Sequence, residues 1–174
     1  LLAMAHLAQR KLGDAAEALK QIVQDDPGQV SAYGMLAQLA ARNPHNSSKT
    51  PLEWYDEAVR LNPDSPQAYV QRSAYYLDAA AAAAAPADRQ DLRARADEDL
   101  KQAEERVGAD PDARLSLAQI LIRDEQIDRA LKHLQAVYEA NPKNVTLWLT
   151  WARLAGRRPA EVRGERMRFV ADQG

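Results

Sequence analysis

A two-helix pattern of apolar residues over residues 113–142 constrains this chain most, because the rest of the sequence repeats it. Leu117 and Leu121 lie four residues apart in its first half, a spacing that places them on one face of a helix. In the second half the apolar residues recur at spacings of four and three: Ala130, Leu134 and Val137. The polar residues 124–126 predict a turn between the two helices, and Pro142 ends the second helix because proline cannot continue it.

This pattern of Leu117-Ala118, Leu121, Ala130, Leu134, Val137 and Pro142 resembles the tetratricopeptide repeat, a helix–turn–helix unit of about 34 residues. The resemblance implies an all-α, right-handed helical-hairpin solenoid of about four and a half repeats. We expect a single domain over 1–174 with approximate repeats 1–27, 29–63, 65–111, 112–142 and 144–174. The last helix, from Arg158-Pro159 onward, is expected to cap the final repeat. Because the chain opens on Leu1-Leu2, we expect a fragment of a larger protein.

Small residues recur where the resemblance brings the two helices of a repeat closest: Ala37, Ser73, Ala118 and Ala152. We call these four positions the small-residue seam. Most aromatic residues coincide with bulky core positions of the repeat: Tyr33, Tyr55, Tyr69, Tyr76, Trp148 and Trp151. Trp54 is the exception, since it adjoins the core position Tyr55 and either packs on the neighbouring loop or stands exposed.

Several segments depart from the regular repeat. Gly13-Asp14 predicts a turn in the first repeat, followed by an apolar face of Ala18, Leu19, Ile22 and Val23. Asn43–Thr50 predicts an exposed loop, after which Thr50, Pro51 and Glu53 form a capping box. Ala79–Ala85 predicts a continued helix because alanine is the best helix former, with a low-complexity linker as the alternative. Ala87–Val107 then predicts the returning helix of this lengthened hairpin, with Ala96, Leu100 and Ala103 facing inward.

Composition excludes several classes of function. The formal net charge of −2 argues against general affinity for nucleic acid or anionic membranes. The absence of cysteine excludes disulfides and thiolate metal sites. No apolar run approaches the roughly 20 residues that cross a bilayer, so we expect no membrane insertion in this segment. The sequence does not indicate a compartment.

Catalytic chemistry finds no support in the sequence. The histidines, His6, His45 and His133, lie in different repeats and are expected on the surface or in a groove. The carboxylates of 97–99 and 104–105 are flanked by arginine and lysine, which favours a solvated, salt-bridged face. Phosphate-binding glycine motifs and nucleophile elbows are absent. We therefore expect no enzyme activity and no cofactor.

The resemblance implies a concave groove that binds a protein or peptide partner. Its lining is expected from first-helix positions that point away from the second helix: Gln38, Arg42, Gln71, Ala74, Asp78, Ser116, Gln119, Arg123, Thr150 and Arg153. Some members of the family grip acidic chaperone tails through cationic groove residues. Here the matching or nearby sites carry Gly34, Met35, Gln38, Gln67 and Gln71, so that activity is not expected.

Two alternatives to peptide binding remain open. One is a structural role, in which the repeats stack on further repeats or on a second copy. The other is RNA-processing scaffolding, since residues 147–152 resemble the start of the related half-a-tetratricopeptide repeat. Residues 153–155 lack the acidic residue expected after that motif.

Overall fold

The chain is all-helical in the part that the structure, a computed structural model, describes, residues 11–157. It divides into two compact units, one ending at Arg106 and the other beginning at Val107. The first unit contains α1 (Leu12–Asp25), α2 (Val30–Arg42), a short 3-10 helix (Pro44–Asn46), α3 (Pro51–Leu61), α4 (Pro66–Ala82) and α5 (Pro86–Arg106). The second contains α6 (Pro111–Arg123), α7 (Ile127–Ala140) and α8 (Val145–Arg157). The expected capping helix after Arg158 lies outside the described residues.

Proline marks the start of four of the α-helices: Pro51, Pro66, Pro86 and Pro111. Proline is favoured there because the first helical N–H has no partner within the helix. The capping box predicted for α3 is confirmed. The Glu53 N–H donates to Thr50 Oγ1 at 3.3 Å, and the Thr50 N–H donates to Glu53 Oε2 at 2.6 Å.

In the first unit α2 packs between α1 and α3, and α4 packs against α2, α3 and α5. Ala15, Leu19, Tyr33, Leu36 and Ala58 are buried in this core. The inward face predicted for α5 is confirmed, since the residues concerned are fully buried: Ala96, Leu100 and Ala103.

The second unit contains the two-helix repeat of residues 113–142. The turn predicted at 124–126 separates α6 from α7. The stripe predicted on these two helices is fully buried: Leu117, Leu121, Ala130, Leu134 and Val137. The third helix, α8, packs against both.

Three positions of the small-residue seam are buried, namely Ala37, Ser73 and Ala118. The Ser73 hydroxyl donates to the Val70 carbonyl at 2.8 Å, so its burial leaves no unpaired donor. The fourth position differs, because Ala152 is exposed.

The reason lies in the orientation of α8, which turns a different side inward from the one predicted. The side chains that it buries are Leu147, Thr150, Trp151 and Leu154. Of the core positions predicted on this helix, Trp151 is correct and Trp148, at 44% exposure, is wrong.

The first helix of the described chain corrects two predictions. α1 begins at Leu12, so Gly13-Asp14 lies within its first turn and does not form a turn before it. Ile22 is exposed, whereas Ala15, Leu19 and Val23 are buried at a regular spacing of four residues. The buried face of α1 therefore runs along one row of the helix, and Ile22 lies beside it.

The alanine-rich segment is helical over only part of its length. α4 ends at Ala82, and residues 83–85 connect it to α5. Alanine favours helix, but a residue before proline avoids the helical region because of the clash with the proline ring. Pro86 follows Ala85 directly, so the helix cannot run through to the end of the alanine tract.

The loop between α2 and α3 contains a short 3-10 turn, and part of it packs on Trp54. The Lys49 ammonium lies 4.5 Å from the centre of the Trp54 ring and also pairs with Glu57. Trp54 is only 5% exposed, so the first of its two sequence alternatives is correct. Tyr55, the predicted core residue, is half-buried instead.

Candidate functional site

The first unit contains an open groove of about 590 Å³ between α2 and α4, which we call the first groove. Five of the ten residues predicted to bind a partner line it: Gln38, Arg42, Gln71, Ala74 and Asp78. The lining also contains six residues outside that predicted partner-binding set: Ser31, Gly34, Met35, Ala41, Tyr55 and Tyr75. The lining mixes polar and apolar residues and contains one cation (Arg42) and one anion (Asp78).

An aromatic pair forms part of the groove wall. The rings of Tyr55 and Tyr75 lie 5.6 Å apart between their centres, in a tilted arrangement. Burial raises the pKa of Tyr55, and the nearby Asp78 carboxylate and Tyr75 raise it further. The Tyr55 hydroxyl therefore stays protonated at neutral pH and can donate a hydrogen bond.

Gln71 of α4 meets Gly34 of α2 in this groove. The Gln71 Oε1 atom is buried and accepts no hydrogen bond from the described residues. A Cβ atom placed on Gly34 would lie 2.8 Å from that oxygen, which is closer than Cβ contacts normally come. The absence of a side chain at Gly34 is thus what allows the Gln71 amide to lie there.

The second unit has its own groove of about 290 Å³, which we call the second groove. Four predicted residues line it together with Ile122: Gln119, Arg123, Thr150 and Arg153. Gln119 Nε2 donates to Thr150 Oγ1 at 3.4 Å, and the Thr150 hydroxyl donates to the Thr146 carbonyl at 2.8 Å. Thr150 is only 3% exposed, so its hydroxyl is buried where α8 packs on its neighbours. Ser116, the tenth predicted residue, is half-buried on α6 and is not among the residues lining this groove.

One carboxylate of the face predicted to be solvated is instead buried. Asp99 of α5 is 3% exposed and accepts two hydrogen bonds from Arg72 of α4, at 2.9 Å from Nε and 2.7 Å from Nη2. Arg72 Nη1 also donates to Asp56 of α3 at 2.9 Å. The hydrogen bonds that Arg72 donates to Asp99 raise the pKa of Arg72 against the opposing effect of burial. This network connects α3, α4 and α5.

The remaining candidate groups do not assemble into a reactive site. His133 is buried, contrary to the surface or groove position expected for it, and its Nδ1 lies 3.5 Å from Arg114 Nη1. His45 is exposed, and His6 lies outside the described residues. Among residues 11–157 no group of three or more histidines and carboxylates has the arrangement of a metal site. None of the helices described is both long and apolar enough to cross a membrane.

An apolar strip is exposed on α8. Val145, Trp148 and Leu149 are 70%, 44% and 56% exposed. Trp148 is held in place by two interactions. Its Nε1 donates to the Pro142 carbonyl at 2.8 Å, and the centre of its ring lies 5.9 Å from that of Tyr138 in an edge-on arrangement.

The groove residues missed from the sequence had one recognisable signal. Ser31, Gly34, Met35 and Ala41 follow the same helical spacing as Gln38 and Arg42, so they lie on the same face of α2. Tyr55 had no such signal, because it lies on α3 and not on α2. Its position in the groove depends on the burial of its neighbour Trp54 on another side of α3.

The fold and its grooves define a helical-hairpin repeat protein. Comparison with known proteins agrees with this class. Models of the family described as tetratricopeptide repeat match residues 1–66 and residues 111–154, together more than half of the chain. The chain belongs to the tetratricopeptide repeat family.

Solved structures show the same fold at low sequence identity. TTC0263, a thermophilic tetratricopeptide repeat protein of Thermus thermophilus, is 22% identical with a TM-score of 0.58, over 88% of this chain and 77% of that one. MamA is 15% identical with a TM-score of 0.52, over 97% of this chain and 90% of that one. Among curated proteins, none matches this chain. The repeats of this family generally serve as scaffolds for protein interaction, and the chain is a repeat scaffold of this kind.

Proposed function

We propose that the chain is a non-catalytic scaffold that binds an extended or helical peptide segment of a partner protein in the first groove. The observation that supports this proposal is the convergence of five sequence-predicted residues with the Tyr55–Tyr75 pair in one open groove. Amide, hydroxyl and aromatic groups of this kind suit hydrogen bonding and packing along a peptide. The single Arg42 and single Asp78 of the lining give no strong preference for either charge.

The two glutamines selected from the sequence differ in what they offer a ligand. Gln71 carries a buried oxygen without a hydrogen bond, whereas Gln119 already donates to Thr150 in the second groove. Replacing Gln71 with alanine should weaken a bound peptide by about 1 kcal/mol or more, the typical net value of a lost hydrogen bond. Replacing Gln119 should have a smaller effect on a peptide bound in the first groove.

The test is a selection from a random-peptide display library on the whole chain, followed by titration of the selected synthetic peptide. Gln71→Ala and Gln38→Ala report on the first groove, and Gln119→Ala reports on the second. The control reverses two charges of α5 in the Glu104→Lys, Glu105→Lys variant. Peptide affinity that falls with the α5 charges and is unchanged by the groove substitutions would contradict the proposal and place the binding site on the long α4–α5 hairpin.

Self-assembly is the second candidate, and the exposed strip of Val145, Trp148 and Leu149 favours it. If a second copy of the chain covers this strip, light scattering should show a mass that rises with concentration, and Leu149→Glu should abolish the rise. A constant monomer mass would exclude this role for the chain. An RNA electrophoretic shift assay at physiological salt tests the RNA-scaffold alternative. We propose that the chain does not bind RNA and expect no shift.

A further inference from the structure

The first groove holds the Gln71 amide against Gly34. Its Oε1 is buried against Gly34 and accepts no hydrogen bond from the part of the chain that the structure describes, although a buried carbonyl oxygen normally accepts one. The position is therefore maintained by packing and by the space at Gly34. A Cβ on Gly34 would come within 2.8 Å of Oε1, 3.1 Å of Cδ and 3.3 Å of Nε2, so the whole amide lies against this glycine.

The Gln71 amide can also turn away from Gly34. It is the far end of a flexible side chain, and Gln71 as a whole is only half-buried. Turning the amide away from Gly34 forfeits no hydrogen bond of its Oε1 atom. Once turned, it can accept through Oε1 and donate through Nε2, which matches the N–H and C=O groups of a peptide backbone.

We propose that Gly34 sets the affinity of the first groove, because it retains the Gln71 amide against α2 until a bound peptide draws it out. The inference rests on the proposed peptide-binding function. In the free protein most molecules have the amide at Gly34 and must reorient it to bind. The apparent dissociation constant is then the intrinsic one divided by the fraction of molecules whose amide is already turned out.

A residue with a Cβ at position 34 should therefore improve binding. In Gly34→Ala the Cβ occupies the space of the amide and keeps it in the groove, so peptide affinity should rise by roughly three-fold or more. Folding should be retained, because alanine is a better helix former than glycine within α2. Gly13→Ala in α1 is the matched control, since a Cβ there meets nothing within 4 Å.

The experiment titrates the synthetic peptide selected on the wild-type chain against five proteins. These are the wild type, Gly34→Ala, Gln71→Ala, the double variant and the control Gly13→Ala. We expect Gly34→Ala to tighten binding only while Gln71 is present, and Gly13→Ala to leave it unchanged. In the free proteins, the side-chain amide signal of Gln71 in NMR spectra, assigned by its loss in Gln71→Ala, should shift in Gly34→Ala.

The outcomes separate this inference from the proposed function. If no peptide is selected, or if Gln38→Ala, Arg42→Ala and Gln71→Ala all leave its affinity unchanged, the peptide-binding function fails and this inference fails with it. If those variants weaken binding but Gly34→Ala is neutral or weaker, the function stands and the role of Gly34 is wrong. An equal gain from Gly34→Ala in the Gln71→Ala background also overturns it, because the gain would then not act through the amide.

Discussion

The buried ion pair between Arg72 and Asp99 allows the sharpest test of how the first unit is held together. Asp99 has a side-chain exposure of 4% and Arg72 one of 21%, whereas Asp56, the second partner of Arg72, is 49% exposed. Asp99→Ala removes both hydrogen bonds to the Arg72 Nε and Nη2 atoms. Asp56→Ala removes a single bond at the surface.

The two substitutions should differ several-fold in their effect on stability. Breaking a buried pair leaves an uncompensated charge and costs about 3–5 kcal/mol. Arg72 is partly exposed and keeps Asp56, so we expect about 2–3 kcal/mol for Asp99→Ala. For Asp56→Ala we expect about 0.2–1 kcal/mol, the usual range for an exposed pair. Replacing the buried pair by Arg72→Met with Asp99→Leu should recover most of the loss, because no unpaired charge remains.

The assay uses urea unfolding with a fluorescence signal from the first unit alone. The chain has three tryptophans, of which only Trp54 lies in that unit. Trp148→Phe and Trp151→Phe therefore give a background in which fluorescence follows the first unit. Asp91→Ala is the control, because Asp91 and Arg95 form an exposed pair on α5 with side chains 61% and 56% exposed.

Equal losses for Asp99→Ala and Asp56→Ala would refute the argument, since burial would then not determine the strength of the pair. A double variant less stable than Asp99→Ala would also refute it. In that case the charge network would contribute something that apolar packing cannot replace.

Three further predictions concern packing, the loop and pH. Ala118→Leu should destabilise the second unit by roughly 1–3 kcal/mol through overpacking, because Ala118 is fully buried. Ala152→Leu, at an exposed position, should leave the melting temperature nearly unchanged. Equal melting temperatures for the two variants would contradict the close helix packing inferred at Ala118. Deleting residues 46–49 should preserve helical circular dichroism but shift Trp54 fluorescence to the red, because the deletion removes the lysine that covers its ring; an unshifted spectrum would contradict this. The backbone hydrogen bond from Thr50 lowers the pKa of Glu53 below the ordinary value of 4.5, so its stabilising contribution is present above that value and is lost as pH falls through the lower folded value. Glu53→Gln should therefore lower the urea midpoint at neutral pH and have no effect in acid, and an equal effect at both would show that the charge is not involved.

Local sequence signals predicted the elements that depend on local chemistry. The proline at Pro51, the hydroxyl of Thr50 and the carboxylate of Glu53 are neighbours, and their capping geometry is decided within one turn of helix. The stripe of α6 and α7 is similarly local, because apolar spacing alone identifies the buried face. These predictions needed no knowledge of what packs against the helix.

The burial of Asp99 was not predictable in this way. Asp97, Glu98 and Lys101 around it are charged. The group that makes its burial favourable is Arg72, 27 residues earlier on another helix. Periodicity along α5 identifies Ala96, Leu100 and Ala103 as inward, and Asp99 adjoins that face. Whether such a residue is solvated or buried depends on its partner, which a single helix does not reveal.

The end of α4 shows a conflict between two local rules. Seven alanines favour continued helix, and Pro86 opposes it only for the residues just before the ring. The helix propensity prevails up to Ala82, and the proline prevails from residue 83 to residue 85. Propensity alone could not place this boundary, because neighbouring alanines are chemically identical.

The loop between α2 and α3 connects the core of the first unit to its candidate binding surface. Lys49 of this loop lies over the Trp54 ring, and the indole is buried in the core with residues of α1 and α2. Adjacent residues on a helix point about 100° apart, so burial of Trp54 directs Tyr55 to another side of α3. That side faces Tyr75 and the first groove. The loop residues thus affect the groove indirectly, through Trp54 and its neighbour Tyr55, and do not line the groove themselves. Tyr55 could not be predicted from first-helix positions, because it lies on α3.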